Sequence, residues 1–97
     1  MRNYIGANDE QMEEDRLLME FAALAASGDP AGPEARELVL RWQSHMATWH
    51  NGCGDEKLRR MGELYCADDR FAESLDSYGD GTAHFMGEAI LAYLEER

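Results

Sequence analysis

Basic residues are scarce in this chain of 97 residues, where nine lysines and arginines stand against 20 aspartates and glutamates. The resulting net charge of -11 repels the nucleic-acid backbone, which carries one negative charge for every ~1.7 Å of duplex. We therefore expect no direct binding of DNA or RNA by this chain.

Long apolar runs are missing as well. No stretch approaches the roughly 20 residues that span a bilayer, and residues 1–9 lack the apolar core of a signal peptide. These absences predict a cytoplasmic protein with no association with membranes, and the length of 97 residues predicts one domain.

Cysteine is nearly absent, because Cys53 and Cys66 are the only two. Two thiols are too few for a disulfide framework, and in the cytoplasm both should be reduced. His50 lies three residues before Cys53 and could share a metal ion with it, but a structural zinc site takes about four ligands. We therefore expect no metal site and no cofactor.

Catalytic motifs are also missing. The chain has no glycine-framed serine, and no acid is evident as the partner that His45 would need in a catalytic triad. His45 lies on the apolar stripe of a predicted helix, where a histidine is commonly a hydrogen-bonded core residue. The sequence thus gives little support for an enzyme.

Helical periodicity is what the chain does have. The first predicted helix covers residues 9–27, and its apolar stripe consists of Leu17, Leu18, Phe21, Leu24 and Ala25. Asn8 and Gln11 are spaced as a capping box, which leaves residues 1–8 as a flexible N-terminus. Two prolines and two glycines interrupt the pattern in segment 28–33, and Pro33 is placed to begin the second helix.

Four more helices are predicted in a helical core over residues 33–97. The second helix is expected to be the most apolar, with Leu38, Trp42, His45, Met46 and Trp49 at spacings of three and four. The inner face of the third helix is predicted to consist of Leu58, Met61, Leu64 and Tyr65. Gly52 should be left-handed just past helix two, Asp55 should cap helix three, and Asp68 with Asp69 should open a short fourth helix. The prediction is an all-α domain of about five helices.

Bulky and adaptable side chains are frequent, with six methionines and two tryptophans. Such side chains fill cores, and they also line pockets for bulky apolar ligands. Composition alone leaves both interpretations open.

An ordered series of residues runs through the later helices. It consists of His45, Trp49 and Cys53, then Leu64, Tyr65, Asp68, Arg70 and Phe71, then Gly81, Phe85, Ala89, Ile90 and Tyr93. Together with segment 21–25 and the Gly-Asp-Pro turn, this series resembles the TipAS family, an antibiotic-recognition domain found at the C-terminus of some MerR-type transcriptional regulators and as a stand-alone chain. The resemblance covers residues 14–94.

The resemblance implies a compact, globin-like arrangement of helices that binds thiopeptide antibiotics and, in some relatives, other drug-like molecules. It places the family's reactive cysteine at Cys53, and the histidine and aromatic residue that precede this cysteine at His45 and Trp49. Thiopeptides carry dehydroalanine, to which a thiolate can add, so Cys53 is the expected point of covalent attachment. The dipole of helix three should favour its thiolate, and the following acidic residues, Asp55 and Glu56, should oppose it.

One segment departs from the family pattern. His50, Asn51 and Gly52 stand where family members commonly have aromatic and acidic residues, so the identity of the ligand stays open. No winged-helix segment or dimerising coiled coil precedes Asn8, so we expect that the chain does not act on promoters by itself.

The expected ligand-binding side chains are Trp42, His45, Met46, Trp49, Cys53, Met61, Tyr65 and Phe85. They should capture thiopeptide-like or other bulky amphipathic molecules, either as the effector-sensing domain of a regulator or as a stand-alone resistance protein that sequesters the drug. A MerR-type DNA-binding domain, fused or separate, is the expected partner. The alternative is a helical protein–protein interaction domain whose aromatic stripe receives a partner helix.

The first helix is a candidate lid over the ligand. Its apolar stripe is narrow, its outer face is acidic, and a Gly/Pro hinge separates it from helix two, so its docked state should be less stable than the rest of the bundle. A permanently packed first helix is the other interpretation.

Overall fold

The computed structural model describes residues 4–96, with side chains from Asp9 onward. The five α-helices are α1 (Tyr4–Ala25), α2 (Pro33–Trp49), α3 (Asp55–Ala67), α4 (Asp69–Leu75) and α5 (Thr82–Glu95), and a 3₁₀ turn (Asp76–Tyr78) follows α4. Residues 4–96 contain no strand, so the predicted all-α fold is confirmed. None of the described helices is long and apolar enough to cross a membrane.

Helix α1 begins at Tyr4, before the predicted start at residue 9. Asn8 therefore lies inside the helix, and its predicted capping role is wrong. Residues 4–8, predicted to be flexible, are helical backbone, while residues 1–3 lie outside the described residues. The helix ends at Ala25, where the Gly28 N–H donates to the Leu24 carbonyl at 2.5 Å.

The turn between α1 and α2 is held by its own hydrogen bonds. The Asp29 carboxylate accepts from the Ala31 N–H at 2.9 Å, and the Asp29 carbonyl accepts from the Gly32 N–H at 2.9 Å. Pro33 is the first residue of α2, as predicted. Its missing N–H costs nothing there because the first N–H groups of a helix have no intrahelical acceptor.

Helix α5 is the central helix of the fold. It contacts each of the other four helices, and eight of its residues are buried against five in α2. The prediction that helix two is the most apolar is therefore wrong. Helix α2 keeps charged side chains on its outer face, whereas α5 is covered on most sides.

The predicted stripe of α1 reaches the core only through the C-terminal half of the helix. Leu17, Leu18 and Phe21 are at most 3% exposed. The Phe21 ring meets the Trp42 ring edge to face, with centroids 6.2 Å apart. Burial of these side chains supplies the hydrophobic stabilisation of the helix at roughly 25 cal/mol per Å².

Helices α3 and α5 cross closely through two glycines. A methyl group on Gly87 would lie 2.7 Å from the Gly62 carbonyl oxygen, and one on Gly62 would lie 2.8 Å from Cγ2 of Ile90. The contact face of α3 therefore runs through Leu58, Gly62 and Tyr65. Leu64, predicted to face inward, lies beside this face and is 38% exposed.

Replacing Gly87 with Ala should destabilise the protein despite the better helix propensity of alanine. The added methyl group meets rigid backbone, so we expect the free energy of unfolding to fall by about 1–3 kcal/mol. For a domain of this size each kcal/mol lowers Tm by about 4–8 °C. The control is Gly54→Ala, because a methyl group there meets nothing within 4 Å. A Gly87→Ala variant as stable as the wild type in thermal unfolding would contradict the close crossing.

Candidate functional site

His45 lies buried at the junction of α1 and α2. Its side chain is 1% exposed, its Nδ1 lies 2.7 Å from Oε1 of Glu13, and its Nε2 lies 3.5 Å from Oε1 of Glu14. The Trp42 ring packs beside the imidazole, with centroids 5.8 Å apart. The hydrogen bond from His45 lowers the pKa of Glu13.

Trp49, one turn further along α2, lies at the edge of an open groove. Its ring is 37% exposed, and its Nε1 donates to the same Glu13 oxygen at 3.3 Å. The groove has a volume of roughly 660 Å³ and is lined by Met46, Thr48, Trp49, His50, Asn51 and Lys57. Two expected ligand-binding side chains, Met46 and Trp49, thus share one accessible surface.

The loop after α2 turns sharply through two left-handed residues. Asn51 has φ 68° and Gly52 has φ 91°, which confirms the conformation predicted for Gly52. The Gly52 N–H donates to the Ala47 carbonyl at 3.2 Å, as in a Schellman motif. This motif satisfies the end of α2 and leads the chain back toward α3.

Two side chains hold the loop against the helices. The Lys57 ammonium donates to the carbonyls of His50 and Gly52 at 3.1 and 3.0 Å, and Gln43 Nε2 donates to the Cys53 carbonyl at 2.8 Å. Gly54 occupies the cap position of α3. Asp55, predicted to be the cap, is the first helical residue, because Gly54 takes the extended conformation of the cap with φ −75° and ψ 176°.

Cys53 is buried in this loop with 9% exposure. Its sulfur lies 4.0 Å from the sulfur of Met61. Burial raises the pKa of the Cys53 thiol, Lys57 lowers it and Asp55 raises it. The expected activation at the start of α3 is therefore outweighed by the desolvation of the thiolate.

The remaining expected site residues lie in the core. Trp42, Tyr65 and Phe85 are at most 7% exposed, and the Tyr65 ring packs on Phe71 with centroids 5.6 Å apart. Burial raises the pKa of Tyr65 to about 12. A partner helix cannot reach this part of the aromatic stripe while these side chains are covered.

The Trp42 indole N–H is buried and has no hydrogen-bond partner among the described residues. It lies close enough to the Tyr65 hydroxyl to offset part of the rise in that group's pKa, but outside the geometry of a hydrogen bond. An unsatisfied buried donor costs about 1–3 kcal/mol. The covered core beside α1 therefore holds one unsatisfied donor.

Sequence reasoning missed three residues that organise this site, namely Glu13, Gln43 and Lys57. Glu13 joins His45 and Trp49, yet it lies 32 residues from His45, so no local spacing rule connects them. Lys57 did carry a signal, because a cation in the first turn of a helix opposes the helix dipole and needs another reason to be there. The structure gives that reason in the two loop carbonyls.

A comparison with known families decides the affiliation of the chain. A family model described as the TipAS antibiotic-recognition domain matches residues 6–93. The chain belongs to the TipAS family. This family is a ligand-binding regulatory domain, which agrees with the lack of catalytic motifs in the sequence.

Relatives of this TipAS chain include transcriptional activators. It is 33% identical over 85 residues to the HTH-type transcriptional activator mta of Bacillus subtilis (strain 168), covering 88% of this chain and 33% of that protein. It is 37% identical over 83 residues to the HTH-type transcriptional activator TipA of Streptomyces coelicolor (strain ATCC BAA-471 / A3(2) / M145). This match covers 84% of this chain and 33% of that protein. The TipAS chain spans about a third of the length of these relatives.

A solved structure shares the fold of this TipAS chain. It is the antibiotic binding domain of a TipA-class multidrug resistance transcriptional regulator, with a TM-score of 0.77, 35% identity, and coverage of 90% of this chain and 94% of that one. The arrangement of five helices is therefore that of an antibiotic-binding domain.

The raised pKa of Cys53 predicts slow alkylation at neutral pH. In a Cys66→Ala variant, which leaves Cys53 as the single thiol, iodoacetamide should react several-fold more slowly than with a peptide of residues 49–57, because only the thiolate reacts. The rate should rise about tenfold per pH unit below the pKa. Equal rates for protein and peptide, measured by mass spectrometry, would contradict the burial of the thiol.

Proposed function

We propose that this TipAS domain binds bulky amphipathic antibiotics of the thiopeptide kind at the groove beside Trp49. The observation that carries the proposal is the accessible aromatic and thioether surface of Trp49 and Met46. It lies in a groove of the size of small-molecule sites, which run from roughly 300 to 1,000 Å³. The chemistry of the groove suits a ligand with apolar heterocycles and many amide groups.

Polar groups at the same groove can orient such a ligand. Lys57 supplies a cation, and the left-handed backbone at Asn51 supplies a turn that a macrocycle can follow. Trp49 supplies a large rigid surface at small entropic cost, because its side chain has only two rotatable bonds. Its bond to Glu13 further restricts the ring.

Covalent capture is the second step that we propose. The Cys53 thiolate adds through sulfur to the terminal carbon of a dehydroalanine alkene, and the alkene electron pair takes a proton from water at the α-carbon. The product is a thioether, and no leaving group is released. The proton that the thiol loses to water balances the proton that the α-carbon gains from water. Because Cys53 is 9% exposed, the loop over residues 50–54 has to open before the bond forms.

Helix α1 divides into two parts in this mechanism. Its C-terminal half is fixed in the core by Leu17, Leu18 and Phe21, whereas its N-terminal half contacts α2 through Glu10, Glu13 and Glu14. Polar, partly exposed contacts are easier to open than a packed core. We propose that residues 4–16, and not the whole helix, form the lid.

Closure of this lid provides a signal that a regulator can read. A ligand shifts the equilibrium toward the closed state by its differential affinity for the two states. The relatives are HTH-type transcriptional activators, so we propose an effector-sensing role, with a MerR-type DNA-binding domain as partner.

Binding and bonding can be separated by three variants. Trp49→Ala should weaken Kd for a dehydroalanine-containing thiopeptide by at least about tenfold, or 1.4 kcal/mol, in isothermal titration calorimetry. Cys53→Ala should keep reversible binding but lose the increase in intact mass, which equals the whole ligand in the wild type. Leu40→Ala is the matched control, because Leu40 lies on α2, is 47% exposed and is absent from the groove.

Each outcome has a distinct meaning for the proposal. Equal losses of affinity in Trp49→Ala and Leu40→Ala would remove the groove as the binding site. An adduct that persists in Cys53→Ala but disappears in Cys66→Ala would place the reactive thiol on α3.

The lid predicts unequal amide exchange along α1. Residues 10–16 should exchange quickly without ligand and slowly with it, whereas residues 17–25 should be protected in both states. Hydrogen–deuterium exchange with mass spectrometry can resolve the two halves. Strong protection of residues 10–16 without ligand would eliminate the lid.

A further inference from the structure

Four potential metal ligands converge where α1 crosses the end of α2. Glu10 and Glu14 lie one turn apart on α1, and His45 and His50 lie at the end of α2. One ligand atom from each side chain lies within 4.8 Å of all the others. We propose that Glu10, Glu14, His45 and His50 bind a divalent transition-metal ion of the zinc class.

The distances suit tetrahedral coordination. Zinc lies about 2.0–2.2 Å from imidazole nitrogen or carboxylate oxygen, so adjacent ligand atoms around a tetrahedral ion are roughly 3.3–3.6 Å apart. The His50 Nε2 to Glu10 Oε2 distance is 3.2 Å, and the His45 Nε2 to Glu14 Oε1 distance is 3.5 Å. The other pairs of ligand atoms lie within 4.8 Å, and the partly exposed side chains of Glu10, Glu14 and His50 can shorten them by rotating about their own bonds.

His45 is already oriented as a metal-binding histidine. Its Nδ1 is held by the Glu13 carboxylate at 2.7 Å, and its ring is buried. In metal sites such a carboxylate accepts from the Nδ1–H of the ligating histidine and orients its ring, so that Nε2 is the atom that binds the ion. The contact of Nε2 with Glu14 is 3.5 Å long, at the limit of a hydrogen bond, so the buried nitrogen has no short partner.

The second histidine approaches from the chain just beyond α2. The rings of His45 and His50 have centroids 6.3 Å apart at an interplanar angle of 63°. The backbone of His50 is fixed by Lys57, whose ammonium binds the His50 carbonyl. The loop after α2 thus fixes the backbone of His50, and the His50 ring extends from it to Glu10 of α1.

Charge and ligand chemistry select the ion. Three carboxylates, from Glu10, Glu13 and Glu14, face two imidazoles in a chain whose net charge is -11, so a bound cation would relieve their repulsion. Calcium and magnesium prefer sites made only of oxygen, whereas mixed imidazole and carboxylate sites suit zinc and its neighbours. Metal binding would join the N-terminal half of α1, the segment proposed as the lid, to the C-terminal end of α2 and the residue that follows it.

Cobalt is the probe, because tetrahedral Co²⁺ gives strong visible absorption and zinc displaces it. The untagged, chelator-treated chain should bind one Co²⁺ with such a spectrum, and Zn²⁺ but not Mg²⁺ should abolish it. His50→Gln and Glu10→Gln should each weaken Co²⁺ binding by at least about tenfold, and Glu13→Gln by about 10–100-fold as expected for a residue that positions a ligand. No antibiotic is present, so the result is independent of the proposed function.

Two controls match these variants. His84→Gln changes a histidine that pairs with Glu88 at 3.1 Å but belongs to no such cluster, and it should bind Co²⁺ normally. A Cys53→Ala/Cys66→Ala variant should also bind Co²⁺ normally. Because no thiolate binds the ion, neither this variant nor the wild type should show a thiolate charge-transfer band. Circular dichroism should show that each variant is folded. The side chains of His50 and Glu10 are 45% and 31% exposed, so their replacement should leave the core intact.

Three results would overturn the proposal. They are the absence of a tetrahedral Co²⁺ spectrum in the wild type, equal binding by wild type and His50→Gln, and loss of binding in the double cysteine variant. The last result would assign metal uptake to the thiols.

Discussion

A buried imidazole needs a hydrogen-bond partner, and the position of the N-terminal half of α1 depends on this requirement. Trp42 covers one side of the His45 ring, and Nδ1 of His45 lies 2.7 Å from the Glu13 carboxylate of α1. Without the Glu13 carboxylate the buried Nδ1 would be left unsatisfied, at a cost of about 1–3 kcal/mol. The same Glu13 carboxylate also accepts a hydrogen bond from Nε1 of Trp49. One carboxylate thereby couples a core residue to the rim of the groove.

The two halves of α1 are attached by different physical means. Apolar burial around Phe21 is insensitive to salt, whereas the contacts of Glu10 and Glu14 lie near the surface and weaken with ionic strength. Tyr78 adds one further polar contact, since its hydroxyl donates to Asp15 at 2.5 Å. The C-terminal half of this continuous helix is thus held by apolar burial, whereas its N-terminal half is held by polar contacts that can open.

Local rules predicted those parts of the fold that depend on neighbouring residues. Pro33 and Gly52 carry backbone constraints that act within one turn, and both were assigned correctly. Leu64 was misplaced because the close approach at Gly62 rotates the contact face of α3, a tertiary effect that periodicity does not contain. The burial of Cys53 is a tertiary effect of the same kind. Its glycine neighbours indicate an open backbone, but the sulfur turns toward Met61 across the loop.

The contact between Gly62 and Gly87 also bears on how such a domain can evolve. Either glycine can change only if the opposite helix yields space, so variation there requires paired substitutions. Gly54 is different, because it has open surroundings and an ordinary φ of −75°, and single replacements are tolerated sterically. Single substitutions can therefore accumulate in the loop before α3, whereas changes at the crossing of α3 and α5 require compensating changes in both helices.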